Sequence, residues 1–236
     1  MGELLMRRRE MILPSAAPTP VIPSGYVTDG LIFFLDGKQL ASASSWTDIV
    51  GGKTFELTNC SLGTNGVVFD GTAYGIYNGR ISNDWSNETI EAVFDGYSGI
   101  KTKFILGQPF VDNSVGISLR FGDGGGNNVR VVPAIDGTRR TYYQANNVLN
   151  TTGKKRVGCS ANTPIVVNGS KLSGGSITNY SANNTGTTTL GGGRFSDDVT
   201  STTMYIGTIY CVRIYNRKLT EAELKANQDN DLLYYA

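Results

Sequence analysis

Histidine is absent from the 236 residues. That removes the commonest general base and the commonest metal ligand together, and it excludes Ser/His/Asp and Cys/His mechanisms. Charge is scarce and balanced: 21 Lys and Arg stand against 20 Asp and Glu, a formal net charge of +1. Such a surface gives no electrostatic reason to bind nucleic acid or an anionic membrane. No apolar run approaches the length of a transmembrane helix. Cysteine is limited to Cys60, Cys159 and Cys211, with no CxxC spacing to suggest zinc. Cys211 lies in an apolar run and is expected to pack as a small hydrophobe, which leaves Cys60 and Cys159 as a candidate disulfide pair.

What the chain has in quantity is glycine, 30 residues of it, with much Asn, Ser and Thr. From Gly30 onward, short runs rich in β-formers are bounded by Gly, Asn or Asp: GLIFFLDG, GKTFELTN, NGVVFDG, ETIEAVFDG, TKFILG, VGISLRFGDG, NVRVVPAIDG, RTYYQA, KRVGCS, TPIVVNG and TTTLGGG. Many short strands joined by turns predict two packed antiparallel sheets, and 236 residues suit one such domain. No repeat of fixed period links the runs, which argues against a propeller or solenoid.

The two ends differ from this pattern. Residues 1–25 carry a basic, apolar head and then Pro14, Pro18, Pro20 and Pro23. Only Met11, Ile12 and Leu13 follow the charged stretch before the first proline, too few for the core of a secretory signal. The segment reads either as a disordered tail or as a peg. In the second reading Leu4, Leu5, Met6, Met11, Ile12 and Leu13 dock on a partner, Arg7, Arg8 and Arg9 pair with its acids, and the prolines act as an extended spacer. At the other end, Tyr205 to Tyr215 is apolar on both alternating faces, as in a strand covered on both sides. A capping box between Thr220 and Glu223, with Leu219 and Leu224 placed for a hydrophobic staple, predicts a helix from about Thr220 to Gln228.

In this order the runs resemble the concanavalin A-like lectin/glucanase jelly roll, and more narrowly the LamG-like (laminin G type) domains of bacterial and phage surface or virion proteins. The stretches that carry the resemblance are GLIFFLDG (30–37), WTDIVGGKTFEL (46–57), GVVFDG (66–71), TIEAVF (89–94), IVVNG (165–169) and, most specifically, IGTIYCVRIYNRKLTEAEL (206–224). It covers residues 26–236 and leaves the N-terminal tail outside. It implies an all-β, two-sheet antiparallel jelly-roll sandwich with one short C-terminal helix. Tyr210 departs from the pattern, standing where the family often has an acidic residue.

The resemblance frames three candidate chemistries. A sandwich glucanase needs paired carboxylates on one face of a strand, flanking one bond. In NETIEAVFDG, Glu88 and Glu91 point to opposite faces, Asp95 shares a face with Glu91 but sits at a turn, and the Glu-x-Asp-x-x-Glu pattern of those glucanases is absent. A calcium ion at the sandwich rim, which the resemblance implies as an option, would take Asp70, Asp123, Asp197 or Asp198 as hard oxygen ligands, although Asp-Gly pairs also serve simply as turns. Sugar binding would use stacking aromatics beside amides: Tyr77 and Asn78 in GIYNGR, and Tyr142, Tyr143, Asn146 and Asn147 in TYYQANN. The competing reading places these tyrosines in the core, where Trp46 and Trp85 are also expected. The glycine-rich RFGDGGGNN lacks the following helix of a phosphate cradle.

The expectation is therefore a non-enzymatic phage virion protein, displaying a LamG-like and carbohydrate-binding domain through its N-terminal tail. Its partners would be other virion proteins and a host surface glycan. A bacterial surface carbohydrate-binding module or adhesin, surface-bound or secreted, is the alternative, and assembly as a homo-oligomer stays open.

Overall fold

Alternating apolar and polar residues, interrupted by Gly, Asn and Asp, form short strands along the whole described chain. The computed structural model describes residues 21–81, 87–96, 103–107, 116–121, 129–135, 139–145, 153–160, 163–172, 176–177, 187–192 and 204–236. Residues 1–20, which include the proposed peg, lie outside them, as does Trp85. In chain order the strands are β1 (Leu31–Asp36), β2 (Ser45–Thr47), β3 (Thr54–Thr58), β4 (Ser61–Gly63), β5 (Gly66–Asp70), β6 (Tyr74–Tyr77), β7 (Thr89–Asp95), β8 (Lys103–Gly107) and β9 (Gly116–Phe121). They continue with β10 (Val129–Ile135), β11 (Arg139–Ala145), β12 (Lys155–Ser160), β13 (Val166–Val167), β14 (Ser170–Lys171), β15 (Ser176–Ile177), β16 (Thr188–Leu190) and β17 (Ile206–Tyr215), and helix α1 (Glu221–Tyr234) follows. All eleven runs quoted above carry a strand. The strands they missed, β2, β4, β6, β14 and β15, are two to four residues long, too short to display a period.

The strands form two antiparallel sheets. The first has eight strands in the order β14-β13-β12-β7-β17-β5-β4, with β1 also on β17; the second has nine, in the order β15-β11-β10-β9-β8-β16-β6-β3-β2. β17 is the centre of the first sheet. One edge pairs with β7 from Thr208 to Tyr215. The other is shared: β5 takes Ile206 to Ile209 and β1 takes Cys211 to Tyr215. At the junction Gly37 is buried, and a Cβ there would lie 2.4 Å from the Asn65 carbonyl oxygen and 2.7 Å from both Gly66 Cα and the Tyr210 carbonyl oxygen. Only a residue without a side chain lets three strands meet. The Asn-Gly hairpin expected in IVVNG is present: Asn168 (φ 48°) and Gly169 (φ 78°) join β13 to β14, the left-handed pair that a two-residue hairpin turn requires.

Among the described residues two apolar clusters form the core. Phe33, Trp46, Phe55, Phe69, Phe94 and Ile214, with their neighbours, lie between the sheets. Tyr26, Phe34, Val93, Cys211, Tyr215, Leu224 and Tyr235 lie on the other side of the first sheet, beneath α1 and the segment entering β1. β17 is thus covered on both faces, as its sequence predicted, and Trp46 is core. All three cysteines are free: Cys159 is buried between the sheets and half-buried Cys60 directs its thiol at the carbonyls of Thr58 and Tyr74. The candidate disulfide does not form.

The capping box is present, with the Thr220 hydroxyl accepting from the Glu223 amide and the Glu223 carboxylate accepting from the Thr220 amide. Leu219 and Leu224 on either side of it are both buried in the cluster under the helix. The helix is longer than predicted, reaching Tyr234 rather than about Gln228. Tertiary contacts hold its second half: Gln228 accepts from the Gly169 amide and donates to the Val166 carbonyl, Asp231 binds Arg213, and the hydroxyls of Tyr234 and Tyr235 donate to Asp36. Its buried stripe is largely polar (Asn227, Gln228, Asp231), so hydrophobic periodicity could not mark it.

Candidate functional site

The two outer faces of the sandwich differ. That of the first sheet is covered by α1 and the segment entering β1 around β7, β12, β13 and the second half of β17, while Asp70 and Ile206 at its β5 end are exposed. Under the helix Glu91, Arg213, Asn227 and Asp231 bond to one another. Glu91 on β7 and Arg213 on β17 are directly opposed strand neighbours. The Arg213 Nε donates to Glu91 Oε2 at 3.0 Å, and Nη1 and Nη2 donate to the two oxygens of Asp231 at 2.7 and 2.6 Å. Asn227 donates to Glu91 Oε2 at 2.8 Å, the Tyr26 hydroxyl donates to Asp231 at 2.9 Å, and the guanidinium carbon sits 4.6 Å above the Tyr26 ring. Burial pushes the Glu91 carboxyl up to about 7, with the Asp231 charge adding to the rise and Arg213 opposing it. The sequence offered no sign of this cluster: its members come from β7, β17, α1 and the segment before β1, and an Arg inside an apolar strand has no period of its own.

Asp95, on the same face of β7 as Glu91, accepts from the Thr208 amide at 3.0 Å and from the Tyr210 hydroxyl. A carboxylate from the neighbouring strand thus stands beside Tyr210. Glu88 is buried at the start of β7. The acids weighed for glycoside hydrolysis therefore lie under the helix or in the β7 termini.

The second sheet keeps an open face over β2, β3 and β6. Ser45, Glu56, Ile76 and Thr189 are successive cross-strand partners in one row. Beside it Thr47 and Thr54 share a hydrogen bond between hydroxyls at 2.9 Å, and Thr58 opposes Tyr74. Thr47, Thr54, Glu56 and Thr58 are exposed; Ser45, Tyr74 and Ile76 are half-buried. The strict alternation of TFELT, with Phe55 and Leu57 inward, produces this face. Hydroxyls and one carboxylate beside an aromatic ring equip it to bind hydroxyl-rich ligands and to stack on an apolar ring face.

The sequence candidates fall as follows. Tyr77 belongs to β6 rather than to a loop. It packs toward the core, its ring 5.8 Å from Phe55 and half-buried, so it does not present a stacking platform at the rim. Tyr74, three residues earlier, is the tyrosine on the open face. Asn78 is exposed in the following turn, which the Thr188 hydroxyl holds by donating to the Gly79 carbonyl. Tyr142 and Tyr143 are consecutive residues of β11, in register with Ser176 and Val131; Asn146, Asn147, Asp123, Asp197 and Asp198 lie outside the described residues. Asp70 organises a turn: one carboxylate oxygen accepts from the Thr72 amide and hydroxyl, both at 2.8 Å, and from the Ala73 amide at 3.0 Å. These bonds hold its pKa below the ordinary value. Among the described residues no group of three His, Cys, Asp or Glu side chains gathers at Asp70, and its described bonds are those of a turn.

No protein-family model matches the sequence, and no curated protein matches it. Solved structures do share the fold. The Trypanosoma rangeli sialidase in complex with sialic acid aligns at TM-score 0.58 and 18% identity, over 92% of this chain and 36% of that one. The receptor binding domain of botulinum neurotoxin C/D mosaic serotype aligns at TM-score 0.59 and 12% identity, over 86% of this chain and 52% of that one. A point mutant of HCR/D aligns at TM-score 0.62 and 15% identity, over 87% and 52%. The chain thus spans 36% to 52% of the chains it is aligned with here. At these identities the likeness defines architecture: a jelly-roll, concanavalin-like sandwich of two antiparallel sheets.

Proposed function

We propose that the chain is a LamG-like, non-enzymatic recognition module that binds carbohydrate on the open face of its second sheet. The observation that carries the reading is the contrast between the faces. One is covered over much of its width by a helix, with Glu91, Asp231 and Asp95 bonded internally; the other presents Thr47, Thr54, Glu56 and Thr58 around the half-buried Tyr74 and Ile76. The neighbours named for sialic acid and for receptor binding support a recognition role on this architecture. The module would be displayed on a larger assembly, a phage virion, through residues 1–20, whose basic and apolar composition suits an anchor. The described chain is already tied to the sandwich at Val21, whose amide and carbonyl pair with the Gln39 side chain.

Glycan-array binding of the whole chain tests the proposal. The wild type is expected to bind a defined set of glycans, and Tyr74→Ala and Glu56→Gln to lose at least about tenfold in affinity, on the scale of one lost stacking or hydrogen-bonding contact, with unchanged melting behaviour. No reducing ends should appear from polysaccharide. A wild type that binds no glycan, or variants that bind as it does, would remove the carbohydrate reading. Normal particle incorporation of a chain lacking residues 1–20 would remove the anchor.

A further inference from the structure

We propose that the junction of β7, β17, α1 and the Tyr26–Val27 segment is a proton-controlled clamp: a proton on Glu91 holds the helix and that segment on the sheet, and its loss loosens both. Arg213, Glu91 and Asp231 are 0%, 1% and 1% exposed, so one positive charge faces two carboxylates out of water. Asp231 takes both terminal nitrogens of the guanidinium, and Glu91 Oε2 takes the remaining Nε together with Asn227. Glu91 Oε1 is buried with no hydrogen-bond partner. It faces Gly158 of β12, 3.4 Å from where a Cβ would stand; the Leu224 side chain closes on the same spot, and so does the Gln228 amide, which donates to the Val166 carbonyl. A second uncompensated charge in such a place is costly, and a proton on that carboxyl removes it.

Among the described residues no other cation bonds to Glu91. Cys211 and Tyr215 on β17 and Tyr26 before β1 are all raised by burial and are neutral. Helix α1 contributes the amides of Asn227 and Gln228, and Arg156 of β12 stands opposite Val93 rather than Glu91. Burial, with Asp231, accordingly lifts Glu91 to about 7. In a chain without histidine, such a carboxyl supplies a titration near neutrality.

The same atoms hold two structural elements. Asn227, which donates to Glu91, also accepts from the Val27 amide at 2.9 Å and donates to the Tyr215 hydroxyl at 3.0 Å; that hydroxyl donates to the Val27 carbonyl. Tyr26 reaches Asp231. Helix and N-terminal segment therefore loosen together.

The Glu91 pKa is higher folded than unfolded, so the clamp is tightest below about 4.5, weakens as pH rises to about 7, and is constant above. Amide hydrogen exchange of the full chain between pH 5 and 8.5, corrected for intrinsic rates, tests this. In the wild type, opening of α1 and residues 26–30 should increase with pH, up to about 75-fold between pH 5 and 8.5 for that shift. Glu91→Gln should remove the dependence and protect α1 better than the wild type at pH 8. Isotope-edited infrared spectra of the wild type should show a protonated Glu91 carboxyl at pH 5.5 that disappears by pH 8, a readout that does not depend on the variant folding. Exchange that is flat with pH, an equal slope in Glu91→Gln, or an ionised Glu91 at pH 5.5 would overturn the clamp.

Discussion

Arg213 and Asp231 close a two-pronged hydrogen bond, at 2.7 and 2.6 Å, in a place without solvent, and so join the last strand of the sandwich to its last helix. Removing one partner strands a buried charge, which is more harmful than the pair itself is helpful. Arg213→Ala is expected to lose about 3–5 kcal/mol in urea denaturation. A loss under about 1 kcal/mol would mean that water reaches the site.

The capping box and the strand before it should respond on different scales. Thr220→Ala removes the hydroxyl that accepts the Glu223 amide and should cost roughly 1 kcal/mol. Ile214→Ala empties a fully buried position between the sheets and should cost about 2–5 kcal/mol. Denaturation midpoints in the reverse order would contradict the burial of Ile214.

Glu223 should govern the acid limb of stability. Hydrogen bonds from Arg217, then from the Thr220 amide, lower its pKa to about 2. A carboxyl depressed in the folded state stabilises above its unfolded value and loses that contribution as pH falls from about 4.5 to 2. Glu91, raised instead, acts in the window above 4.5 and with opposite sign. Melting temperatures of the wild type should fall more steeply below pH 4.5 than those of Glu223→Gln; parallel curves would show the pair to be screened by solvent.

Gly37→Ala should destabilise by about 1–3 kcal/mol or more, the scale of overpacking. The atoms a Cβ would strike belong to backbone, so no side chain can turn aside. A variant within about 0.5 kcal/mol of the wild type would disprove the close approach of β1, β5 and β17.

Tyr77 and Asn78 should separate packing from recognition. Tyr77→Ala is expected to lose roughly 2 kcal/mol, less than a fully buried aromatic because the ring is half-exposed. Asn78→Ala, exposed in the turn, should stay within about 0.5 kcal/mol. Glycan binding that depended on Tyr77 with no loss of stability would move the site to the rim.

Much of the architecture was written locally. Apolar runs punctuated by Gly, Asn and Asp determine strands and turns by themselves, because side-chain alternation and left-handed turn conformations are properties of two to six adjacent residues. Thr220 and Glu223 set the helix start for the same reason: a cap is made within one turn. Tertiary structure decided what needs distant partners. The helix runs to Tyr234 because Asp231 and Asn227 meet β17 and β7. Arg213 sits inside an apolar strand because two acids come to it. Tyr77 turns inward and Tyr74 outward because the period of two is set against a core that only the packed sheets create, and no window of sequence says which face of a strand water will keep.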